Sequence, residues 1–303
     1  MKTIDQISFD KNSVITIGTF DGVHLGHKLI IEELLKKASE HAARSVVVTF
    51  YPHPQDVLRT KGDSVKLLTS QDEKEIYLNS FGVDEIVIID FDSETANTPW
   101  QDFCDLLRNQ IGVSHIVFGH DHAFGKNRKG NIENIKEYGK INNFTVSEVP
   151  PLSINNETVS STKIRNYLNN NEIIKANILL GYNYSIIGLV TKGDGRGRKL
   201  GFPTANIKPL DEKKLLPSNG VYAVNIWVNG VAYRAMMNIG VRPTFTNGIE
   251  KTIEANIFNF DKEIYSSVIK VEFLKFVRLE QKFTSSEEFL IQLAKDQVAC
   301  LGA

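Results

Sequence analysis

Short runs of β-branched and aliphatic residues at 14–17, 46–50, 86–89 and 116–118 alternate with longer stretches where apolar residues recur at helical spacing, as in Leu29, Ile30, Leu34, Leu35 and Ala38. Continuous apolar strands separated by amphipathic helices predict a parallel, Rossmann-like sheet covered on both faces. Ligands of such sheets bind beyond the carboxyl ends of the strands, so the chemistry of this half is sought just after each strand.

Beyond Gly181 the period changes. Residues 185–191, 221–228, 231–238, 252–259 and 268–276 read as strands, and Asn229-Gly230 marks a tight hairpin. This half is expected to be a small antiparallel barrel, closed or nearly closed. A last helix is announced by Ser285 and Glu288, spaced as a capping box, followed by Phe289, Leu290, Leu293 and Ala294 on one face. The expected fold class is therefore α/β plus β, with an α/β domain over 1–182 and a barrel domain over 183–303. Neither half repeats the other, and the one biased segment is Asn169-Asn170-Asn171.

Composition narrows the function classes. A chain of 303 residues, 42% hydrophobic and 23% charged, buries a sizeable core and is not disordered. Its 35 Lys and Arg against 36 Asp and Glu leave a net charge of -1, so no overall field draws it to nucleic acid or an anionic membrane. Cys104 and Cys300 stand far apart without a Cys-x-x-Cys, which excludes a thiolate metal site and gives no disulfide framework. The start Met1-Lys2-Thr3-Ile4-Asp5-Gln6 has no apolar signal core, and no apolar run approaches the ~18 residues of a membrane span. A cytoplasmic location is expected.

All seven histidines lie between His24 and His122. The first predicted strand runs into Gly18-Thr19-Phe20-Asp21-Gly22-Val23-His24-Leu25-Gly26-His27 and then into a helix. His24 and His27 share one side of its first turn, and Gly26 removes a side chain that would block a close ligand. Free N–H groups and the positive helix end there suit a phosphate, and two imidazoles would stabilise charge developing at an α-phosphorus. Two other readings stand beside this one: residues at an ordinary helix cap, or a zinc pair lacking the His-Glu-x-x-His context. His120 and His122 read as loop residues, His41 and His115 as structural or solvent-facing.

In the second half Gly193-Asp194-Gly195-Arg196-Gly197-Arg198-Lys199-Leu200-Gly201 offers flexible backbone beside basic groups, suited to wrapping phosphate or to a plain exposed turn. It fits neither the Walker pattern nor Gly-x-Gly-x-x-Gly. Phe202-Pro203-Thr204-Ala205-Asn206 would present Thr204 and Asn206 on one face, neutral oxygens suited to a shared Mg²⁺ or simply two satisfied turn residues. Glu254 lies on an alternating strand, where a carboxylate either faces water or deprotonates a substrate hydroxyl.

These motifs occur together and in this order in bacterial bifunctional riboflavin kinase/FAD synthetases, which the chain resembles over nearly its whole length. Gly18 to His27, Phe50-Tyr51-Pro52-His53-Pro54, Gly119 to Gly125 and Ser160-Ser161-Thr162-Lys163-Ile164-Arg165 resemble the adenylyltransferase module. The resemblance implies that His24 and His27 contact ATP phosphates. It implies too that Gly18, Phe20, Asp21, Gly26, Phe50, Pro52, His53, Pro54 and Asp121 shape the nucleotide and flavin pocket, and that Ser161, Thr162 and Arg165 grip phosphate. Gly193 to Asn206, Met237 to Phe245, Glu254 and Val277 to Phe283 resemble the riboflavin kinase module. There the resemblance implies Gly193, Gly195 and Arg198 at the nucleotide, Thr204 and Asn206 on Mg-ATP, Glu254 as general base, and Asn238, Arg242 and Arg278 beside the flavin. Asn256 stands where many relatives carry histidine, which bears on flavin or nucleotide contacts near Glu254, and Ser266 where many carry glycine, which changes only a turn; rate and affinity are touched more than reaction type.

The implied enzyme phosphorylates riboflavin with Mg-ATP to FMN, then adenylylates FMN to FAD, with small-molecule partners and neither nucleic acid nor membrane. The alternatives are an adenylyltransferase whose barrel only binds flavin, and a flavin-sensing or nucleic-acid-binding protein. Oligomeric state is left open.

Overall fold

The structure is a computed structural model that describes the chain apart from residues 60–63, 121, 194–201 and 244–248, and describes no side chain over 242–250. It divides into two compact units, Met1–Ser161 and Thr162–Ala303.

The first unit runs β1 (Lys2–Thr3), β2 (Ser13–Ile17), α1 (Leu25–Glu40), β3 (Arg44–Tyr51), α2 (Pro54–Leu58), α3 (Gln71–Ser80), β4 (Glu85–Asp90), α4 (Ser93–Asn97), α5 (Trp100–Gln110), β5 (Val113–Gly119), α6 (Ile132–Asn142), β6 (Thr145–Val149) and a small hairpin, β7 (Ser153–Ile154) with β8 (Glu157–Thr158). Its sheet has the order β1-β4-β3-β2-β5-β6, and every pair is parallel. Alternate residues of each central strand enter opposite cores. Ile15, Ile17, Val46, Val48 and Val87 face Phe103, Leu107 and Ile135 of α5 and α6, whereas Val14, Val47, Ile86 and Val117 face Ile31, Leu34 and Leu78 of α1 and α3. Each such side chain contributes ~1.5–3 kcal/mol on burial, so two-sided covering fixes the sheet. The expected strands at 14–17, 46–50, 86–89 and 116–118 are all present, extended by one to three residues at their ends. β6, with Thr145, Ser147 and Glu148, was not legible as a strand because it lies at the sheet edge and is half polar.

Chain order reverses between β2 and β5: β3 lies on one side of β2, and β5 returns on the other. Such a reversal leaves a crevice at the carboxyl ends of the two strands. The residues there are Gly18 to His27 after β2, and those after Gly119 on β5.

The second unit holds α7 (Ser161–Asn169, whose first residue closes the first unit), α8 (Ile173–Leu180), β9 (Ser185–Thr191), β10 (Ala205–Pro209), β11 (Gly220–Val228), β12 (Val231–Pro243), β13 (Ile249–Ile257), β14 (Val268–Arg278) and α9 (Ser286–Leu301). Six strands close an antiparallel barrel in the order β10-β13-β12-β11-β14-β9. Tyr222, Val224, Ile226, Met237, Ile253 and Phe273 are among its buried residues, with Tyr222 edge-on to Phe273 at 5.4 Å. On the opposite face Val221, Ala223, Met236 and Phe258 are sealed by Cys300 and Leu293 of α9. Asn229 and Gly230 both take positive φ, 50° and 80°, as a two-residue hairpin between paired Val228 and Val231 requires.

The compact division falls ahead of the expected 182/183 boundary by the two helices α7 and α8. Their bonds explain it: Asn177 Nδ2 donates to the Phe273 carbonyl at 2.8 Å, and Asn177 Oδ1 accepts from the Tyr184 amide. Tyr222 Oη also donates to Asn171 Oδ1 at 2.6 Å. Ser285 caps α9 by accepting from the Glu288 amide as expected, but the Glu288 carboxylate reaches one residue further back, to the Thr284 amide and hydroxyl at 3.0 and 2.9 Å.

Candidate functional sites

In the first unit the turn between β2 and α1 holds an imidazole stack. His24 is the N-cap of α1, and its Nδ1 accepts from the His27 amide at 3.2 Å. That bond keeps Nδ1 unprotonated, so a neutral His24 carries its proton on Nε2. The two rings lie 3.6 Å apart at 13°, and Phe20 meets His27 edge-on at 5.2 Å. A Cβ on Gly26 would press against the His24 ring at 3.2 Å, so the glycine makes room for the stack itself. Phe20 and Val23 sit at φ 47° and 34°, conformations costly for a non-glycine residue and especially for a β-branched one. The turn that carries the histidines is therefore strained at two residues.

Burial holds His27 well below the usual histidine range, and the charges of His24, Lys74 and His122 act in the same direction. Its Nδ1 is buried with no hydrogen-bond partner among the described residues. At a helix start, the His24 Nε2 and the desolvated His27 ring suit donation to phosphate oxygens. Among the described residues no group of three or more His, Cys, Asp or Glu side chains is arranged to hold a metal ion.

Asp21 anchors this turn. Its buried carboxylate accepts from the Leu68 and Thr69 amides at 2.9 and 3.1 Å, and its carbonyl accepts from Ser161 Oγ at 2.8 Å. Gly18 has the Phe20 ring where a Cβ would stand, at 3.1 Å. Phe50 is a core residue against Phe91 and Phe103, so it supports the crevice from behind. Pro52 and His53 are half-buried, and His53 caps α2 through the Gln55 amide, with Pro54 at the first helical position. Asp121 lies outside the described residues. His120 faces Glu148 at 3.3 Å, and His122 packs on Phe118 and Phe124. His115 bonds both ring nitrogens, to Thr145 and Ser147, and His41 stacks on it, so those two are structural. Thr162 and Arg165, on α7, belong to the second unit.

In the barrel, register assembles what the sequence leaves dispersed. Asn206 of β10 pairs with Glu254 of β13, Glu254 with Asn238 of β12, Asn238 with Val221 of β11, and Val221 with Arg278 of β14. Directly paired residues share a face, so Asn206, Glu254 and Asn238 form one lateral row. Two glycines admit these side chains. A Cβ at Gly193 would collide with the Asn206 carboxamide, and one at Gly240 with Glu280 and Asn238. Asn238 Nδ2 donates to Glu280 Oε1 at 3.3 Å. Asn256, one row along, donates to the Pro203 carbonyl at 2.7 Å and so fastens the segment leading to Thr204. Thr204, exposed, lines a cavity of about 230 Å³ with Pro203, Phe260, Asp261 and Tyr265.

Arg278 makes a bidentate ion pair with buried Asp296 of α9, at 2.7 to 3.0 Å, and Gln292 also donates to that carboxylate. The pair docks α9 on the barrel. Gly195 and Arg198 lie outside the described residues, as does the Arg242 side chain. The sequence reading missed Lys74 and Glu280. Ser70 and Glu73 form a full capping box for α3, a legible signal, but nothing in the sequence marks the next residue as buried. Among the described residues no helix is long and apolar enough to cross a membrane.

Comparisons with known proteins find matches to both halves of the chain. A family model for FAD synthetase matches residues 6–163, and one for riboflavin kinase matches residues 180–301. The chain is 37% identical over 288 residues to the bifunctional riboflavin kinase/FMN adenylyltransferase of Listeria monocytogenes, covering 95% of this chain and 91% of that protein. It is 36% identical over 289 residues to the protein of the same description from Bacillus subtilis, covering 94% and 90%. A crystal structure from Streptococcus pneumoniae, described as a macrolide-efflux protein, is similar with a TM-score of 0.93 and 32% identity over 100% of this chain and 98% of that one.

Proposed function

The chain belongs to the bifunctional riboflavin kinase/FMN adenylyltransferase family, and from that premise we propose how its residues divide the two reactions. It phosphorylates riboflavin with ATP to give FMN, and adenylylates FMN with a second ATP to give FAD and pyrophosphate. The adenylyltransferase whose barrel merely binds flavin, and the flavin sensor, are not favoured.

Phosphorylation needs a base. The riboflavin 5′-hydroxyl attacks the γ-phosphorus, an O–P bond forms, the β–γ bridge breaks, and Glu254 takes the hydroxyl proton. The register of Asn206, Glu254 and Asn238 carries this reading, because it sets one carboxylate between two carboxamides on one face. The oxygen of the Asn206 carboxamide, a group whose nitrogen lies over Gly193, and the Thr204 hydroxyl are hard neutral donors that fit Mg²⁺ sharing its remaining positions with phosphate and water. Bound there, Mg²⁺ would neutralise triphosphate charge. Asn238, Arg242 and Arg278 border the flavin in this reading, Arg278 by holding α9 in place. Gly193, Gly195 and Arg198 wrap phosphate.

Adenylyl transfer needs no base, since the FMN phosphate is already ionised. It attacks the α-phosphorus, the α–β bridge breaks, and pyrophosphate leaves. His24 and His27 donate to the phosphate oxygens as charge redistributes. Asp21, Gly18, Phe20 and Gly26 shape their turn; Phe50, Pro52, His53, Pro54 and Asp121 contribute the pocket walls. The assignment of Ser161, Thr162 and Arg165 to phosphate, and a functional boundary at 182/183, rests on motif order. Residence in the cytoplasm, where riboflavin and ATP meet, completes the proposal.

The test is product analysis on two single variants. Glu254→Gln should stop FMN formation and leave FAD formation from supplied FMN, and His27→Ala should do the reverse. Full kinase turnover in Glu254→Gln would remove Glu254 as the base.

A further inference from the structure

We propose that Asn256 is a positioning residue for riboflavin phosphorylation: its carboxamide holds the peptide plane that leads into Thr204, so that the Thr204 hydroxyl and the Asn206 oxygen can share one Mg²⁺. The inference rests on the reading of Thr204 and Asn206 as the metal ligands of the kinase.

The pairing of β10 with β13 runs from Asn206 and Glu254 to Ala205 and Ala255, where β10 begins. Continued by one residue, that register sets Thr204 opposite Asn256. The next residue back is Pro203, which has no N–H, so a full ladder pair cannot form at its position. Its carbonyl still requires a donor. Asn256 supplies one from its side chain, Nδ2 donating to the Pro203 oxygen at 2.7 Å.

Burial gives that bond its force. Asn256 is 8% exposed, so its carboxamide has lost most of its access to water, and removing the acceptor would leave a desolvated donor unsatisfied. The bonded carbonyl belongs to the planar peptide unit whose nitrogen is that of Thr204. Thr204 is thus held from both sides by consecutive residues of one strand: Asn256 fixes the plane before it, and Ala255 pairs with Ala205 after it. Glu254, two residues from Asn256, projects from the same face of β13. A single strand therefore spaces the base from the peptide that carries a metal ligand. Without the Asn256 bond that peptide is fixed at one end only, and a ligand free to move costs metal affinity rather than proton transfer at Glu254.

The experiment compares Asn256→Leu, which keeps the size and loses the donor, with Asn256→His, which offers a ring N–H in its place. In FMN formation by the full chain, Asn256→Leu should raise the half-saturating Mg²⁺ concentration and the KM for ATP by about tenfold, with the KM for riboflavin unchanged. FAD formation from supplied FMN should also be unchanged, and Asn256→His should restore most of the loss. An unaltered Mg²⁺ requirement in Asn256→Leu overturns the proposal, as does an equal rise in both variants. A readout independent of turnover follows the Asn256 side-chain amide by NMR in the unaltered chain, with ATP added in the absence of flavin. Signals that move only when Mg²⁺ accompanies ATP support the proposal; signals that stay fixed, or move equally with ATP alone, overturn it, whether or not Asn256→Leu folds. Thr204→Val with an ordinary Mg²⁺ dependence would instead overturn the metal assignment, and so separates the two failures.

Discussion

Asn206 and Glu254 face each other across β10 and β13, 48 positions apart in the chain and paired in register. The carboxamide can sit there because Gly193, just beyond β9, presents no Cβ to it. Gly193→Ala should therefore displace Asn206 without touching Glu254. The expected outcome is a rise of about tenfold or more in the Mg²⁺ concentration that half-saturates FMN formation, with FAD formation from FMN unchanged. Titrating Mg²⁺ in both assays checks it.

Asp296 is 2% exposed and accepts from Nε and Nη2 of Arg278. Asp296→Asn leaves the guanidinium short of its counter-charge beneath α9, with an expected loss of about 3 kcal/mol from the second unit. Denaturant unfolding followed by fluorescence measures it. The paired change Arg278→Met with Asp296→Leu should recover much of the loss.

Ser266 stands at φ 62°, a left-handed conformation that costs a residue with a Cβ about 1 kcal/mol. Ser266→Gly should raise stability by about 0.5 kcal/mol, the relief being partly offset by the freer unfolded chain. A small rise in Tm, with both activities unaltered, is the expected result.

Lys74 also predicts a pH dependence of stability. Burial lowers its folded value to about 8 from an ordinary 10.5, so between these limits the unfolded chain binds the proton more tightly. Stability contributed at this residue therefore rises with pH from about 8 to 10.5, and its burial penalty is fully present below that window. The difference in unfolding free energy between the wild type and Lys74→Met should grow in favour of the wild type across it, by up to ~3 kcal/mol.

What the sequence determined by itself was local. Two hydrophobic periods distinguished a parallel sheet from a barrel, because strands buried on both faces read as continuous apolar runs and strands buried on one face alternate. Gly26, Asn229-Gly230 and Ser285 were legible for the same reason: close approach, positive φ and capping are set by neighbours along the chain. The tertiary structure decided what depends on register and burial. Nothing in the order of residues sets Asn206, Glu254 and Asn238 in one row until three strands pair. Arg278 becomes a helix anchor only once α9 brings Asp296 to it. Lys74 reads as a surface lysine on an amphipathic helix, and only the packing of α3 turns it into a buried charge against Thr49. Propensity acts over a few residues, whereas electrostatics and side-chain contact act across space between segments far apart in the chain.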